Sequence, residues 1–262
     1  MIKILIIGNG GREHAIAWKL AQDSRIGYIY IATGNAGTSE LERVENIALS
    51  HIDELLAFAK SNHIDLTIVG SEALLVEGIV DRFQAQGLRI FGPNQAAARL
   101  EGSKAYAKSF MQQYGVKTAA YQSFHLVDAA LAYLKTIDYP VVVKASGIAA
   151  GKGVIICQNQ SEAKQAVQEI MINHRFGKAG NEVVIEEFLQ GFEASILSFT
   201  DSQTIVPMLS AKDHKTIGEG NTGENTGGMG VVCPHPTLTQ SQWQAFYKIS
   251  SPLRSKAFKV KD

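Results

Sequence analysis

The sequence predicts an α/β protein that opens on a doubly wound parallel sheet, and three observations carry that prediction. The β-type runs Ile2 to Ile7 and Tyr28 to Ala32 are almost wholly apolar instead of alternating, and Asp65 to Val69 is a third, mostly apolar run. Segments of helical period separate them, Glu13 to Gln22, Asp53 to Lys60 and Leu75 to Gln86. The first run also hands over to its helix through Gly8-Asn9-Gly10-Gly11. Strands apolar on both faces, interleaved with helices, belong in a parallel sheet covered on both sides. Arg89 to Phe91 adds another strand, so residues 1–100 form a first domain.

Beyond Gly92-Pro93 a helix from Ser103 to Tyr114, over a connecting segment 101–117, leads into a second pattern. It consists of strand Ala119 to Phe124, helix Val127 to Thr136, strand Val141 to Ala145 and a glycine loop, then strand Val154 to Cys157, helix Ser161 to Ile170 and strand Val183 to Glu187. Residues 118–192 therefore read as a compact α+β unit. From Glu193 onward the strands Ala194 to Thr200 and Ile205 to Leu209 precede a polar, glycine-rich loop from Asp213 to Gly230. There is no internal repeat and no low-complexity linker.

Bulk properties narrow the function. With 262 residues, 45% of them hydrophobic, the chain can build one large core or two smaller ones. Lys+Arg and Asp+Glu balance at 25 each, so overall charge draws it neither to nucleic acid nor to an anionic membrane. The opening apolar run is too short for a signal segment, and no stretch approaches the roughly 18 apolar residues of a membrane span. A cytoplasmic protein is expected. Cys157 and Cys233 lie far apart without a second Cys or His at metal-ligand spacing, and read as ordinary thiols.

Two glycine motifs carry the chemistry. Gly8, Asn9, Gly10, Gly11, Arg12 and Glu13 sit where a parallel strand enters a helix, where backbone N–H groups and the helix dipole favour a phosphate. The alternative is a tight turn only. A dinucleotide fingerprint fails here, because Glu13 holds the third glycine position and Ile31-Ala32-Thr33-Gly34 lacks the acidic residue expected after the second strand.

The second motif runs Lys144-Ala145-Ser146-Gly147-Ile148-Ala149-Ala150-Gly151-Lys152-Gly153. It departs from a P-loop: one residue is missing between Gly147 and Gly151, and Gly153 stands where a Ser or Thr would hold magnesium. A strand follows it instead of a helix. The expected object is a β-loop-β flap bracketed by lysines, able to close over phosphates. A plain β-hairpin with a loose turn, and a solvated charge at Lys152, are the alternatives.

Together with Leu100-Glu101-Gly102-Ser103-Lys104-Ala105, these motifs make a specific combination. Asn35-Ala36-Gly37-Thr38, Asp65 to Gly70, Ile185 to Leu189, Asp213-His214-Lys215 and Asn225 to Gly230 extend it. In order and spacing the chain resembles the glycinamide ribonucleotide synthetases, also called phosphoribosylamine–glycine ligases, from residue 1 to about 240. The opening glycine motif and the Thr226-Gly227-Gly228-Met229-Gly230 run set it apart from other ATP-grasp enzymes.

That resemblance implies a pre-ATP-grasp N domain, a lid over 118–192 and an ATP-grasp core that begins at 193 and is incomplete here, with an atypical basic tail from about 248. It implies ATP with magnesium or manganese as cofactors, and glycine and 5-phosphoribosylamine as substrates. Lys104 and Lys144 would meet the ATP phosphates, with Gly147, Gly151, Lys152 and Gly153 in the closing flap. Glu186, Glu187, Phe188 and Leu189 would form the strand at the adenine edge, and Glu193 would accept the ribose hydroxyls. Gly8 to Glu13, Glu72, Asp213, Lys215, Gly227, Gly228 and Met229 would line the phosphoribosylamine pocket.

By the same resemblance ATP phosphorylates the glycine carboxylate and the amine displaces phosphate, so positioning and charge carry the catalysis and no catalytic side chain is named. The family's metal-holding Glu and Asn come from a late strand that nothing in this sequence matches, so no metal ligand is named. Ser71 and Leu74 stand where the family has prolines, and Ser146 where it has Asp just before the flap. Exposed apolar faces are expected around the incomplete core. The rival reading is a non-catalytic nucleotide-binding remnant or regulator.

Overall fold

The computed structural model describes residues 1–149, 151–201, 204–246 and 248. The chain divides into two units, Met1–Gly102 and Ser103–Asp262. The basic tail lies almost wholly outside the described residues.

In the first unit the order is β1 (Ile2–Gly8), α1 (Gly11–Ala21), β2 (Ile26–Thr33), α2 (Ala36–Ser39), β3 (Val44–Ile47), α3 (Ile52–Ser61), β4 (Leu66–Val69), α4 (Glu72–Val76), α5 (Ile79–Gln84), β5 (Ile90–Phe91) and α6 (Gln95–Gly102). The strands form one parallel sheet in the order β3-β2-β1-β4-β5. β1 is apolar throughout because both of its faces are covered. Leu5 and Ile7 join Leu55 and Phe83 in one core, while Ile4 and Ile6 join Ala17 and Ile29 in the other. The chain leaves β1 toward β2 and β3, then returns to β4 on the far side. That reversal puts a topological switch point at the C-terminal ends of β1 and β4, where open α/β sheets bind ligands.

Two expectations need correction in this unit. The predicted single helix Leu75 to Gln86 is two helices, because Gly78 adopts a left-handed conformation (φ 88°) that ends one and starts the next. The sequence reading also passed over β3, a four-residue edge strand whose middle two residues, Glu45 and Asn46, are polar.

The second unit opens with α7 (Lys104–Gln113), followed by β6 (Tyr121–Phe124), α8 (Val127–Tyr133), β7 (Val141–Ala145), β8 (Val154–Cys157), α9 (Gln160–Met171) and β9 (Val183–Glu187). Its four strands pair antiparallel in the order β6-β9-β7-β8. Val141, Val143, Ala145, Val183 and Ile185 face a core with Ala130, Ala163, Val167 and Ile170 from α8 and α9. Period two then sends Val142, Lys144, Val184 and Glu186 to the opposite face, and α7 packs against β9.

Two hairpins follow, β10 (Ser198–Thr200) with β11 (Ile205–Pro207) and β12 (Lys212–Gly218) with β13 (Thr222–Val232). The predicted strand from Ala194 shortens to β10, with Ser195 held by an isolated bridge to Ala211. The second predicted strand ends at Pro207. The predicted loop Asp213 to Gly230 is instead the β12–β13 hairpin. Cross-strand hydrogen bonds outweigh the low strand propensity of its glycines, and the register shifts twice around Thr216. Phe199, Val206, Leu209, Ile217 and Val231 are exposed on this part of the unit. No helix among the described residues is long and apolar enough to cross a membrane.

Candidate active site

At the first unit's switch point the glycine turn is closed by its own carboxylate. Glu13 is buried, and its Oε2 accepts the Gly10 N–H at 2.7 Å. A Cβ at Gly8 would stand 2.6 Å from the Glu13 Cδ, so the missing side chain makes room for this carboxylate. Glu13 therefore shapes the turn from within. Arg12 stays exposed, donating from Nη1 to the Gly70 carbonyl at 2.9 Å and pairing with Glu72 at 3.0 Å. Asn35, the N-cap of α2, donates from Nδ2 to the Asn9 carbonyl at 3.0 Å and so ties the loop after β2 to the turn. The turn, Arg12 and Glu72 are brought together at the ends of β1 and β4. Of the two proline positions, Ser71 precedes α4 as its N-cap, and Leu74 packs against the Leu5–Phe83 core.

In the second unit the lysines converge on one acid. Lys144 and Glu186 lie diagonally across the β7–β9 ladder and meet at 2.8 Å. Lys108, one turn after Lys104 on α7, reaches the same Oε2 at 3.0 Å. The Glu186 side chain is 6% exposed and that of Lys108 8%, whereas Lys144 keeps 24%. Lys104 donates to the Gly147 carbonyl at 3.1 Å, which joins the head of α7 to the base of the flap. Ser146 is buried, and its hydroxyl accepts the Ala105 N–H at 3.2 Å beside the N-cap Ser103. This serine works as a helix cap.

The flap and the glycine-rich hairpin also meet. A Cβ on Gly151, whose φ is 76°, would lie 2.7 Å from the Thr226 carbonyl oxygen. Glu193 pairs with Lys215 at 2.7 Å, both partly exposed, so a residue expected at the ribose and one expected at the amine substrate share a contact. Gly228 lies beside Asp213, 3.2 Å separating a Cβ there from Oδ1. Lys152, Glu187, Leu189 and Met229 are exposed, Phe188 is half-buried, Gly153 is buried, and Gly227 lies in β13. Ala150 lies outside the described residues. Among the described residues no three His, Cys, Asp or Glu side chains converge to hold a cation.

Comparison with known proteins agrees with this division. The family described as "Phosphoribosylglycinamide synthetase, N domain" matches residues 2–101, and "Phosphoribosylglycinamide synthetase, ATP-grasp (A) domain" matches residues 102–255. The chain belongs to the phosphoribosylglycinamide synthetase family. Similar relatives named phosphoribosylamine–glycine ligase come from Fusobacterium nucleatum, 58% identical over 94% of this chain, and Clostridium acetobutylicum, 51% identical over 94%. The chain spans 58% and 59% of the length of those two relatives. The crystal structure of phosphoribosylamine–glycine ligase from Thermotoga maritima is similar over 95% of this chain and 60% of its own, with a TM-score of 0.77 at 30% identity.

Within this phosphoribosylglycinamide synthetase fold, two residues escaped the sequence reading. Lys108 offers only its one-turn spacing to Lys104, which a solvated helical lysine shares. His235, buried with Nε2 2.8 Å from the Glu193 carbonyl and its ring tilted against Phe192, gives no signal in the sequence beyond its two flanking prolines.

Proposed function

We propose that this chain binds ATP and 5-phosphoribosylamine for the ATP-dependent joining of glycine to the amine, giving glycinamide ribonucleotide. The observation that carries this reading is the lysine cluster of the second unit, with Lys104 bonded to the flap base and Lys144 held by Glu186 beside it. In the proposed chemistry a glycine carboxylate oxygen attacks the γ-phosphorus and releases ADP. The substrate amine then attacks the glycyl phosphate carbon and expels phosphate, losing a proton as the amide forms.

Lys104 and Lys144 balance phosphate charge, the flap excludes water, and the backbone of Glu187, Phe188 and Leu189 meets the adenine edge. The Glu186 side chain holds the lysines, leaving its backbone for the base. Arg12 and the remaining N–H groups at the head of α1 receive the substrate phosphate. Residues 118–192 act as the lid. A cytoplasmic setting suits the two free thiols.

Calorimetric titration of this chain with ATP is expected to show binding. ADP release is then measured with glycine and phosphoribosylamine, for this chain and for a version extended to the length of its relatives, and turnover is expected from the extended form. Failure of this chain to bind ATP overturns the reading. Binding without ADP release from either form would replace the ligase with a non-catalytic nucleotide binder.

A further inference from the structure

We infer that Lys108 is a positioning residue for phosphate binding: it holds part of the Glu186 charge and so keeps Lys144 available to a nucleotide. This rests on the ATP-binding reading above and gives a role to a buried lysine outside the residues expected to touch ligand.

The geometry distinguishes the two lysines. The Lys108 ammonium has three N–H donors and three acceptors around it: Glu186 Oε2 at 3.0 Å, Thr118 Oγ1 at 2.7 Å and the Ala119 carbonyl at 3.3 Å. It also lies 5.6 Å from the centroid of the Tyr121 ring. With every donor engaged and 8% of its side chain exposed, Lys108 is a fixed charge that no ligand reaches. Lys144, by contrast, engages one donor with Glu186 among the described residues and keeps 24% exposure.

Glu186 directs both bonds through the same oxygen. If Glu186 and Lys144 stood alone they would neutralise each other, and an arriving phosphate would have to compete with the carboxylate for the ammonium. With Lys108 present, the three groups carry one net positive charge, and only Lys144 can present it. α7 thus supplies Lys104 at its head to the flap base and, one turn on, the charge that offsets Glu186.

The test compares ATP with adenosine, by calorimetry, on wild type, Lys108→Met, and Lys108→Met combined with Glu186→Gln. Thermal unfolding of each variant is recorded alongside. The single variant is expected to bind ATP roughly ten- to thirty-fold more weakly, the size of one lost charge in a partly buried site. Adenosine affinity should stay within about twofold, since it carries no phosphate charge. The double variant removes the positive and the negative charge together, and is expected to recover most of the ATP affinity.

A structural role alone predicts that ATP and adenosine weaken together, or that the double variant is no better than the single one; either result overturns the inference. If Lys108→Met does not fold, the double variant, which leaves no unpaired buried charge, is compared directly with Glu186→Leu and wild type. ATP affinity in the double variant near that of wild type then supports the inference, and a loss matched for adenosine overturns it. Wild type that binds no ATP overturns the functional reading, and the inference with it, whereas wild-type binding without this charge pattern overturns the inference alone.

Discussion

Two buried glutamates, one in each unit, solve the same problem by different means. Glu13 closes the glycine turn of the first unit and is matched by a backbone N–H at a helix N-terminus. Glu186 lies on a sheet face of the second unit and is matched by two ammonium groups. A buried carboxylate needs compensation in either place, because leaving water costs several kcal/mol. Backbone compensation is built into the turn and leaves the neighbouring Arg12 exposed. Compensation by side chains puts the charges themselves into the site. The first arrangement shapes a loop, and the second sets a local field.

The largest effect should come from breaking the second arrangement. Glu186→Leu strands Lys108 without its carboxylate, and urea unfolding should show the second unit less stable by about 3–5 kcal/mol. A loss below about 1 kcal/mol would mean that the lysines find other partners at little cost. Glu13→Ala is expected to cost less, about 1–3 kcal/mol, since it leaves one part-buried N–H without its acceptor and a gap beside Gly8. Glu13→Gln, which keeps an acceptor oxygen, should recover most of that loss.

Cys157 can report which unit has failed. Its thiol is buried in the core under β7 and β9, and burial, with Glu162 adding to it, pushes the thiol up to about 11. Because the pKa is raised, the unreactive protonated form prevails at pH 8, and an aromatic disulfide reagent should label only the exposed Cys233 in the native chain. Labelling of Cys157 should speed up markedly in Glu186→Leu and stay at the wild-type rate in Glu13→Ala. Equal acceleration in both variants would show that the two units open together.

The smallest stability effect belongs to Arg12 and Glu72, whose side chains are 61% and 45% exposed. Glu72→Gln should change stability by less than about 0.5 kcal/mol. Arg12→Ala should be equally mild toward urea, yet weaken binding of a sugar phosphate measurably, a split that would separate the ligand-facing role proposed for Arg12 from the internal one of Glu13.

Much of this arrangement was legible in the sequence, because apolar runs and glycines act locally. β1, β2 and β4 showed themselves by composition, and the break from a dinucleotide fingerprint at Glu13 was visible as one acid where a glycine belongs. The fold then explains the exchange: the acid supplies an oxygen to Gly10 from a pocket that Gly8 leaves empty. What stayed hidden depends on partners far along the chain. Lys108 looks like a solvated helical lysine until β9 brings Glu186 to it. The β12–β13 hairpin looks like a loop because its glycines say little about strands, and only its cross-strand ladder makes it one. The fit of Ser146 at the head of α7 likewise appears only once the flap base and the helix are adjacent.

The seat of the flap has a consequence for how this protein can change. At Gly151 the flap rests on the Thr226 and Gly227 main chain, peptide against peptide, with a left-handed backbone on one side and no side chain between them. A contact of that kind has no residue identity to tune. Substitutions there can only add bulk, and bulk can only wedge the flap away from the hairpin. Position 151 is therefore one where substitution can push these two main chains apart but cannot draw them closer.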